Sequence, residues 1–279
     1  MGWRRKAEIR IYARSNIKTT MLNELKQGLK SAVLQVVEQF YKKKCPVCDS
    51  MVKQFLPIPD YYAVETKKYG YPYSVDDSET MNAREYTCPK CGASDRNRLY
   101  ALYFKKYLDP AKTYRLLDIS PAASLRAFLK RQKNIVYRSA DLIDIDVDDT
   151  GVDIMNMHYQ DASFDLFICS HVLEHVNDDK KAMTELYRVL SNGGEGIAMV
   201  PIVLSISEID EDPSITDVAQ RWKRFGQDDH VRLYPKKVFV ERLKEAGFKV
   251  TEYRQEDFGK ELFTTSGISP RSVLYIVRK

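Results

Sequence analysis

The chain has 279 residues, 44% of them hydrophobic, which suits one sizeable globular domain with a smaller attachment. Its 44 basic and 39 acidic side chains leave a net charge of +5, too mild and too dispersed to point to nucleic acid by itself. No stretch approaches the roughly 18 uninterrupted apolar residues of a membrane span, and the opening Met1-Gly-Trp-Arg-Arg-Lys leads into charged sequence, so a cytoplasmic protein with no membrane segment is expected.

Arg4, Arg5, Lys6, Arg10 and Arg14 crowd the start of the chain and read as solvated charge rather than a binding arm. Over 17–41, Met21, Leu22, Leu25, Leu29, Val33, Val36, Val37 and Phe40 recur at helical spacing, predicting an amphipathic helix that completes a first region, 1–44. Cys45-Pro-Val-Cys48 and Cys88-Pro-Lys-Cys91 then bound a module over 45–94. In a chain without a secretion signal such pairs favour a metal over disulfides, because reduced thiols are free to ligate zinc as thiolates. A structural zinc on Cys45, Cys48, Cys88 and Cys91 is the expectation, although the 39 residues between the pairs exceed the roughly 15–20 of a zinc ribbon. Pro57, Pro59, Gly70 and Pro72 predict an irregular segment between them rather than a helical insertion. Tyr61, Tyr62, Tyr69, Tyr71 and Tyr73 could stack on sugars or bases and could equally fill half-buried positions.

A helix is predicted over 95–108, with Leu99, Leu102, Tyr103 and Tyr107 on its buried face. After Asp109-Pro110, short apolar runs predict strands at 113–119, 135–140, 164–170, 196–203, 249–254 and 272–277, alternating with helices at 122–132, 172–190 and 235–246. That alternation specifies an α/β layer fold with a largely parallel sheet and helices on both faces, occupying 95–279. Cys169, inside an apolar run, reads as a small core residue. The stretch 205–234 has no clear periodicity and follows a strand's carboxyl end, where it would cover a ligand crevice.

Ligands of open parallel sheets bind beyond the carboxyl ends of the strands, so the strand ends are the places to look. The first closes in YRLLDISPAAS, with Asp118 at its tip and Ser120-Pro121 opening a helix whose amides favour an electronegative group. The second ends in YRSADL, placing Asp141 23 residues beyond Asp118, about where an acidic side chain accepts from ribose hydroxyls. Each aspartate alone reads as an ordinary turn residue; in this order they describe a nucleoside pocket.

The segment SFDLFICSHVLEHVNDDKKAMTELYRVLSNGGEGIAMVPI, followed by FGQDDHVRLYPKKVFVERLKEAGFKV, resembles the second half of class I S-adenosylmethionine-dependent methyltransferases, especially bacterial ones with paired-cysteine knuckles ahead of the catalytic domain. The resemblance runs from about Tyr114 to the C-terminus. It implies a Rossmann-like sheet whose last strand returns antiparallel, S-adenosylmethionine as cofactor, Asp118 in the cofactor motif, Asp141 on the ribose and Asp153 with Ile154 at the adenine. Ser120, Leu142 and Ser170 belong to the same implied crevice. Where most members have a GxG turn, this chain has Ile119-Ser120-Pro121-Ala122-Ala123, and without glycine the backbone is expected to approach the cofactor less closely.

His171, Glu174 and His175 follow the third of these strands, and a helix starting near Val172 would set them on one face, with His230 of the covering segment closing the same pocket. Three roles compete. A neutral His171 could take a hydroxyl proton as general base. H-x-x-E-H with a distant His also resembles metal-assisted ribose methyltransferases and quinone O-methyltransferases, His171 replacing a glutamate, which would imply a catalytic divalent metal. Glu174 and His175 could instead pin the helix start. HVLEH matches the inverted zincin signature too, but a strand runs straight into it and no long helix carries it. Asp165 and the Asn192-Gly193-Gly194 turn read as structural, the glycines as a helix stop. The substrate expected from the resemblance is a small molecule or glycan sugar hydroxyl, then an RNA ribose; a non-catalytic binding protein on the same fold is the competing class, and the oligomeric state is open.

Overall fold

In a computed structural model of the chain, residues 42–279 are described; the basic N-terminus and the helix expected over 17–41 lie outside them. The cysteine module opens with a hairpin of β1 (Lys43–Lys44) and β2 (Met51–Val52), whose turn carries Cys45 and Cys48. Helix α1 (Asp60–Tyr69) follows, then α2 (Asp95–Tyr107). The segment expected to be irregular therefore holds a helix: Asp60 stands in its first turn, and Gly70 ends it in the left-handed conformation at φ 73°.

The alternating half comprises β3 (Tyr114–Ile119), α3 (Ala123–Leu129), β4 (Ile135–Asp141), β5 (Asp149–Thr150), β6 (Phe164–Ser170), α4 (Asp179–Val189) and β7 (Leu190–Met199). The covering segment contributes β8 (Asp210–Glu211), α5 (Val218–Phe225) and β9 (Arg232–Leu233). After it come α6 (Lys236–Glu245), β10 (Lys249–Tyr253), α7 (Gln255–Phe258), α8 (Lys260–Thr265) and β11 (Leu274–Arg278). The strands lie in the order β10-β11-β7-β6-β3-β4-β5, with β11 antiparallel to both its neighbours. The chain winds outward from β3 through β4 to β5, then returns to β6 on the other side of β3. That reversal opens a crevice at the carboxyl ends of β3 and β6. Leu166, Phe167, Ile168 and Cys169 of β6 are all buried, as expected for a central strand covered on both faces. Among the described residues no helix is long and apolar enough to cross a membrane.

Two boundaries differ from the sequence reading, for identifiable reasons. The helix expected from Val172 begins at Asp179, capped by the Asp178 carboxylate, which accepts from Lys181 N at 2.9 Å. Residues 172–178 form a turn instead. Buried Arg232 donates to the carbonyls of Leu173 and Val176, both at 2.5 Å, and of Asn177 at 3.1 Å, engaging oxygens a helix would use internally. Asn192-Gly193-Gly194 is not a helix stop. It lies inside β7 as a bulge, across which the register passes from Phe164↔Leu190 to Leu166↔Glu195, with Gly193 at φ 76°.

The cysteine segments share the main core, since Cys45, Val47, Val52, Phe55, Cys88 and Ala93 are buried in the same cluster as the sheet. Arg98 fastens them. Fully buried, it donates to the carbonyls of Tyr86 and Ala93 at 2.9 Å, Ser266 at 2.6 Å and Gly267 at 3.1 Å, with Phe55 under its guanidinium.

Candidate active site

At the crevice, Ile119 and Ser120 from the end of β3, Asp141 to Ile143 from the end of β4, Val152 to Met155 and the turn after β6 line a cavity of about 540 Å³. Asp141 sits where the sequence reading put it. Its Oδ1 accepts from the amides of Ile143 and Asp144 at 2.7 and 2.9 Å, its Oδ2 from Ser120 Oγ at 2.5 Å. Despite the cost of partial burial, these bonds hold its carboxyl below the usual range. Ser120 has φ 51°, the left-handed conformation that glycine usually supplies, so the missing glycine has not changed the path of the turn. Leu142, Asp153 and Ile154 line the cavity as well.

Two residues expected in this crevice do not line it. Asp118 is 1% exposed, turned into the sheet where Tyr137 Oη donates to its Oδ2 at 2.9 Å. Burial pushes its carboxyl up to about 7 against the opposing effects of Tyr137 and the Arg126 charge. Ser170 Oγ pairs with Tyr100 Oη at 2.8 Å. In both cases the strand's alternation directs the side chain away from the crevice.

A second cavity, of about 650 Å³, lies on the other side of the same turn, between α1 and the covering segment. Tyr62, Tyr71, Tyr86 and Phe225 give it aromatic walls, Lys67 lies along it, and Arg96, Glu174 and His230 line it. His171 and His175 line both cavities. Helices α1 and α5 are joined beside this cavity by Tyr69, stacked on Trp222 at 5.9 Å.

The histidines converge on Glu174, though not along a helix. His171 Nδ1 lies 3.1 Å, His175 Nε2 3.8 Å and His230 Nε2 4.0 Å from Glu174 Oε1. His230 is brought there by the backbone bond from Val231 N to Glu174 O at 3.0 Å. Glu174 is 1% exposed, yet neither of its oxygens has a hydrogen-bond partner of good geometry, and His230 Nδ1 also has none. Although burial opposes it, the charges of His171, His230 and His175 and the His171 proton hold the Glu174 carboxyl down at about 2. Asp229 fixes His175 from the far side, its Oδ2 3.2 Å from Nδ1. His171 itself sits at φ 58°, in the left-handed region that few residues other than glycine adopt. Its Nε2 meets the Arg96 guanidinium, which also donates to Tyr86 Oη at 3.1 Å. Burial and the Arg96 charge push the His171 imidazole down to about 4. Arg96 escaped the sequence reading because an arginine in the first turn of a helix looks like ordinary surface charge.

The four cysteines of the paired motifs lie together, with Cys45 Sγ 3.8 Å from Cys91 Sγ and Cys48 Sγ 4.0 Å from Cys88 Sγ. Zinc–sulfur bonds of about 2.3 Å place tetrahedral sulfurs about 3.8 Å apart, so the cluster has the dimensions of a zinc site. Each pair is folded by the same turn, Asp49 N to Cys45 O at 2.8 Å and Gly92 N to Cys88 O at 2.9 Å, with Asp49 and Gly92 both at positive φ. Burial pushes the Cys45 thiol up to about 12, so a cation is what would draw the proton from it.

Residues 96–198 match the model of a family described as a methyltransferase domain. The chain carries a methyltransferase domain. With the antiparallel β11 inserted beside β7, it has the class I architecture of S-adenosylmethionine-dependent methyltransferases. Similar solved structures include an S-adenosylmethionine dependent methyltransferase from Mesorhizobium loti, 14% identical over 66% of this chain and 98% of that one, TM-score 0.41. Another is phosphoethanolamine N-methyltransferase 2 of Haemonchus contortus with S-adenosyl-L-methionine, 13% identical over 67% of this chain and 53% of that one, TM-score 0.45. At this distance neither speaks to the acceptor of this methyltransferase. No curated protein matches the chain.

Proposed function

We propose that this methyltransferase transfers a methyl group to a hydroxyl of a small molecule or sugar, held in the larger cavity against His171 and His175. The observation that carries the reading is the wall these two histidines share between the cavities, the only contact surface a donor in one and an acceptor in the other would need. On the donor side, Asp141 would accept from the ribose hydroxyls, and Asp153 with Ile154 and Leu142 would flank the adenine. S-adenosylmethionine supplies an electrophilic methyl on a sulfonium, and the acidic lining of that crevice suits its positive charge.

Glu174, His175 and His230 would hold a divalent cation. The unpartnered buried oxygens of Glu174, faced by His175 Nε2 and His230 Nε2, fit such a role, as does the carboxylate behind His175. A cation at this place lowers the pKa of an acceptor hydroxyl and orients it. The present separations of 3.8 and 4.0 Å are wider than the about 3.0–3.4 Å of ligands around a shared ion, so the side chains would close in on it. The Cys45, Cys48, Cys88 and Cys91 cluster would hold zinc in a structural role, fixing the segment that leads into α2. A small acceptor, rather than an RNA ribose, is supported by the lining itself, in which, among the described residues, Lys67 and Arg96 are the only cationic side chains besides the histidines.

Calorimetric titration of the full chain with S-adenosylmethionine and S-adenosylhomocysteine tests the reading. Saturable binding, lost in Asp141→Ala, is expected. No binding of either would leave a non-catalytic binding protein as the reading to pursue.

A further inference from the structure

We infer that Arg96 makes the larger cavity selective for an acceptor that carries an anionic group beside a ring, a phosphate ester or a carboxylate. The inference rests on that cavity being the acceptor's.

Arg96 differs from the arginines that are paired with carboxylates. Arg126, Arg188 and Arg242 each face a carboxylate, at 2.8, 2.7 and 2.7 Å. Among the described residues Arg96 forms no ion pair. Its guanidinium donors meet neutral groups, the Tyr86 hydroxyl and the His171 ring. A cation drawn in from solvent needs a counter-charge or a full set of acceptors, and Arg98, the next arginine along α2 and buried among carbonyls, shows what a full set looks like here. Among the described residues the sole carboxylate lining the cavity is Glu174. The His171 ring stands between the two, its Nε2 on Arg96 and its Nδ1 3.1 Å from Glu174 Oε1, and Glu174 already answers to His175 and His230. Lys67, the second cation of the lining, has no ion pair among the described residues either.

The neighbouring crevice has the opposite sign. Among the described residues Asp141, Asp153 and Asp229 line it with a single arginine, Arg221. A sulfonium donor and an oxyanion acceptor would thus be sorted to opposite sides of the histidine wall by charge alone. Aromatic faces from Tyr62, Tyr71 and Phe225 give a ring something to lie against while its anionic group reaches the planar guanidinium, which matches phosphate and carboxylate in a two-pronged geometry. An anion there would also take up guanidinium donors now turned to His171.

The test uses the full chain saturated with S-adenosylhomocysteine, titrated in a calorimeter with phenyl phosphate, benzoate and phenol. Phenyl phosphate or benzoate should bind roughly tenfold or more tightly than phenol, and the stronger of the two names the anion. Arg96→Gln should remove that preference and leave phenol unchanged, Arg96→Lys should restore part of it, and Lys67→Gln should weaken both anions less. Arg96 does not line the donor crevice, so unchanged S-adenosylhomocysteine affinity in each variant reports an intact fold. Anions that bind no better than phenol, or equally well to Arg96→Gln, overturn the inference. If S-adenosylhomocysteine itself fails to bind, the methyltransferase reading of the crevice falls, and the same anion titrations on the unliganded chain still decide the role of Arg96.

Discussion

Asp118→Asn separates stability from cofactor binding at the position where the sequence alone suggests cofactor binding. The carboxyl is 1% exposed, and its partners are Tyr137 Oη at 2.9 Å and, at longer range, the Arg126 charge. Burial moves it from the ordinary value of 3.8 to about 7 in the folded chain. A difference of about three units at 1.36 kcal/mol each amounts to roughly 4 kcal/mol at most. The native state binds the proton more tightly than the unfolded chain, so the stabilising effect of protonation is complete below about pH 4 and is lost as pH rises to about 7. Asparagine keeps an oxygen for Tyr137 and has no charge to bury. In urea unfolding followed by circular dichroism at about pH 4.5, 6 and 8, the stability difference between variant and wild type should grow with pH, reaching a few kcal/mol in favour of Asp118→Asn at the highest. Taking this difference cancels other buried acids raised in the same direction, Glu79 and Asp95 among them. Parallel pH profiles for the two proteins, or a variant less stable at pH 8, would refute the reasoning. Affinity for S-adenosylhomocysteine should be nearly unchanged, because Asp118 does not line the crevice.

Asp141→Ala should weaken S-adenosylmethionine binding by roughly 1.5–3 kcal/mol per charged hydrogen bond lost, read by calorimetry. Cys88→Ser should lower zinc content below one ion per chain in atomic emission measurements, and a chelator strong enough to strip the wild type should bring its unfolding midpoint down toward the variant's. Glu174→Gln should abolish the binding of manganese followed by electron spin resonance while leaving the cysteine zinc in place; unchanged manganese binding would remove Glu174 from the cation site. Because both His171 nitrogens lie against charged groups, Arg96 and Glu174, His171→Gln, which can still donate to one side and accept from the other, should keep more turnover than His171→Ala, whereas equal losses would favour the general-base role.

The layer order was legible because strands such as 164–170 carry an uninterrupted apolar stretch, here Leu166 to Cys169, and the helices between them carry clear periodicity. The cysteine cluster was legible from two pairs alone, although their separation hid the fact that the intervening 39 residues contain α1 and wrap back to the site. What failed was local. Val172, Leu173 and Val176 have helical spacing, but Arg232, distant in sequence, takes the carbonyls that would have made the helix, and the Asn177-Asp178-Asp179 cap marks where it starts. Asp118 misled for a different reason. A strand end tells which residues lie near the crevice, while the face each side chain takes depends on a pleat that only the pairing with β4 and β6 settles.

The turn after β6 is also where the two cavities come to depend on one another. His171 is held at positive φ with its amide on Met199 O at 2.8 Å, so its ring is aimed by β7 as much as by its own strand. Arg96 is placed by α2, which begins directly after the second cysteine pair and is locked by Arg98 to the carbonyls of that segment. His230 arrives from the covering segment through Val231. Three parts of the chain that are remote in sequence therefore set one row, Arg96, His171, Glu174 and His230, across the boundary between the two cavities. Glu174 is the member with no better partner than these, which makes it the group whose state the others would feel first: a cation drawn to it would release His171 from Glu174, and an anion drawn to Arg96 would release His171 from the other side.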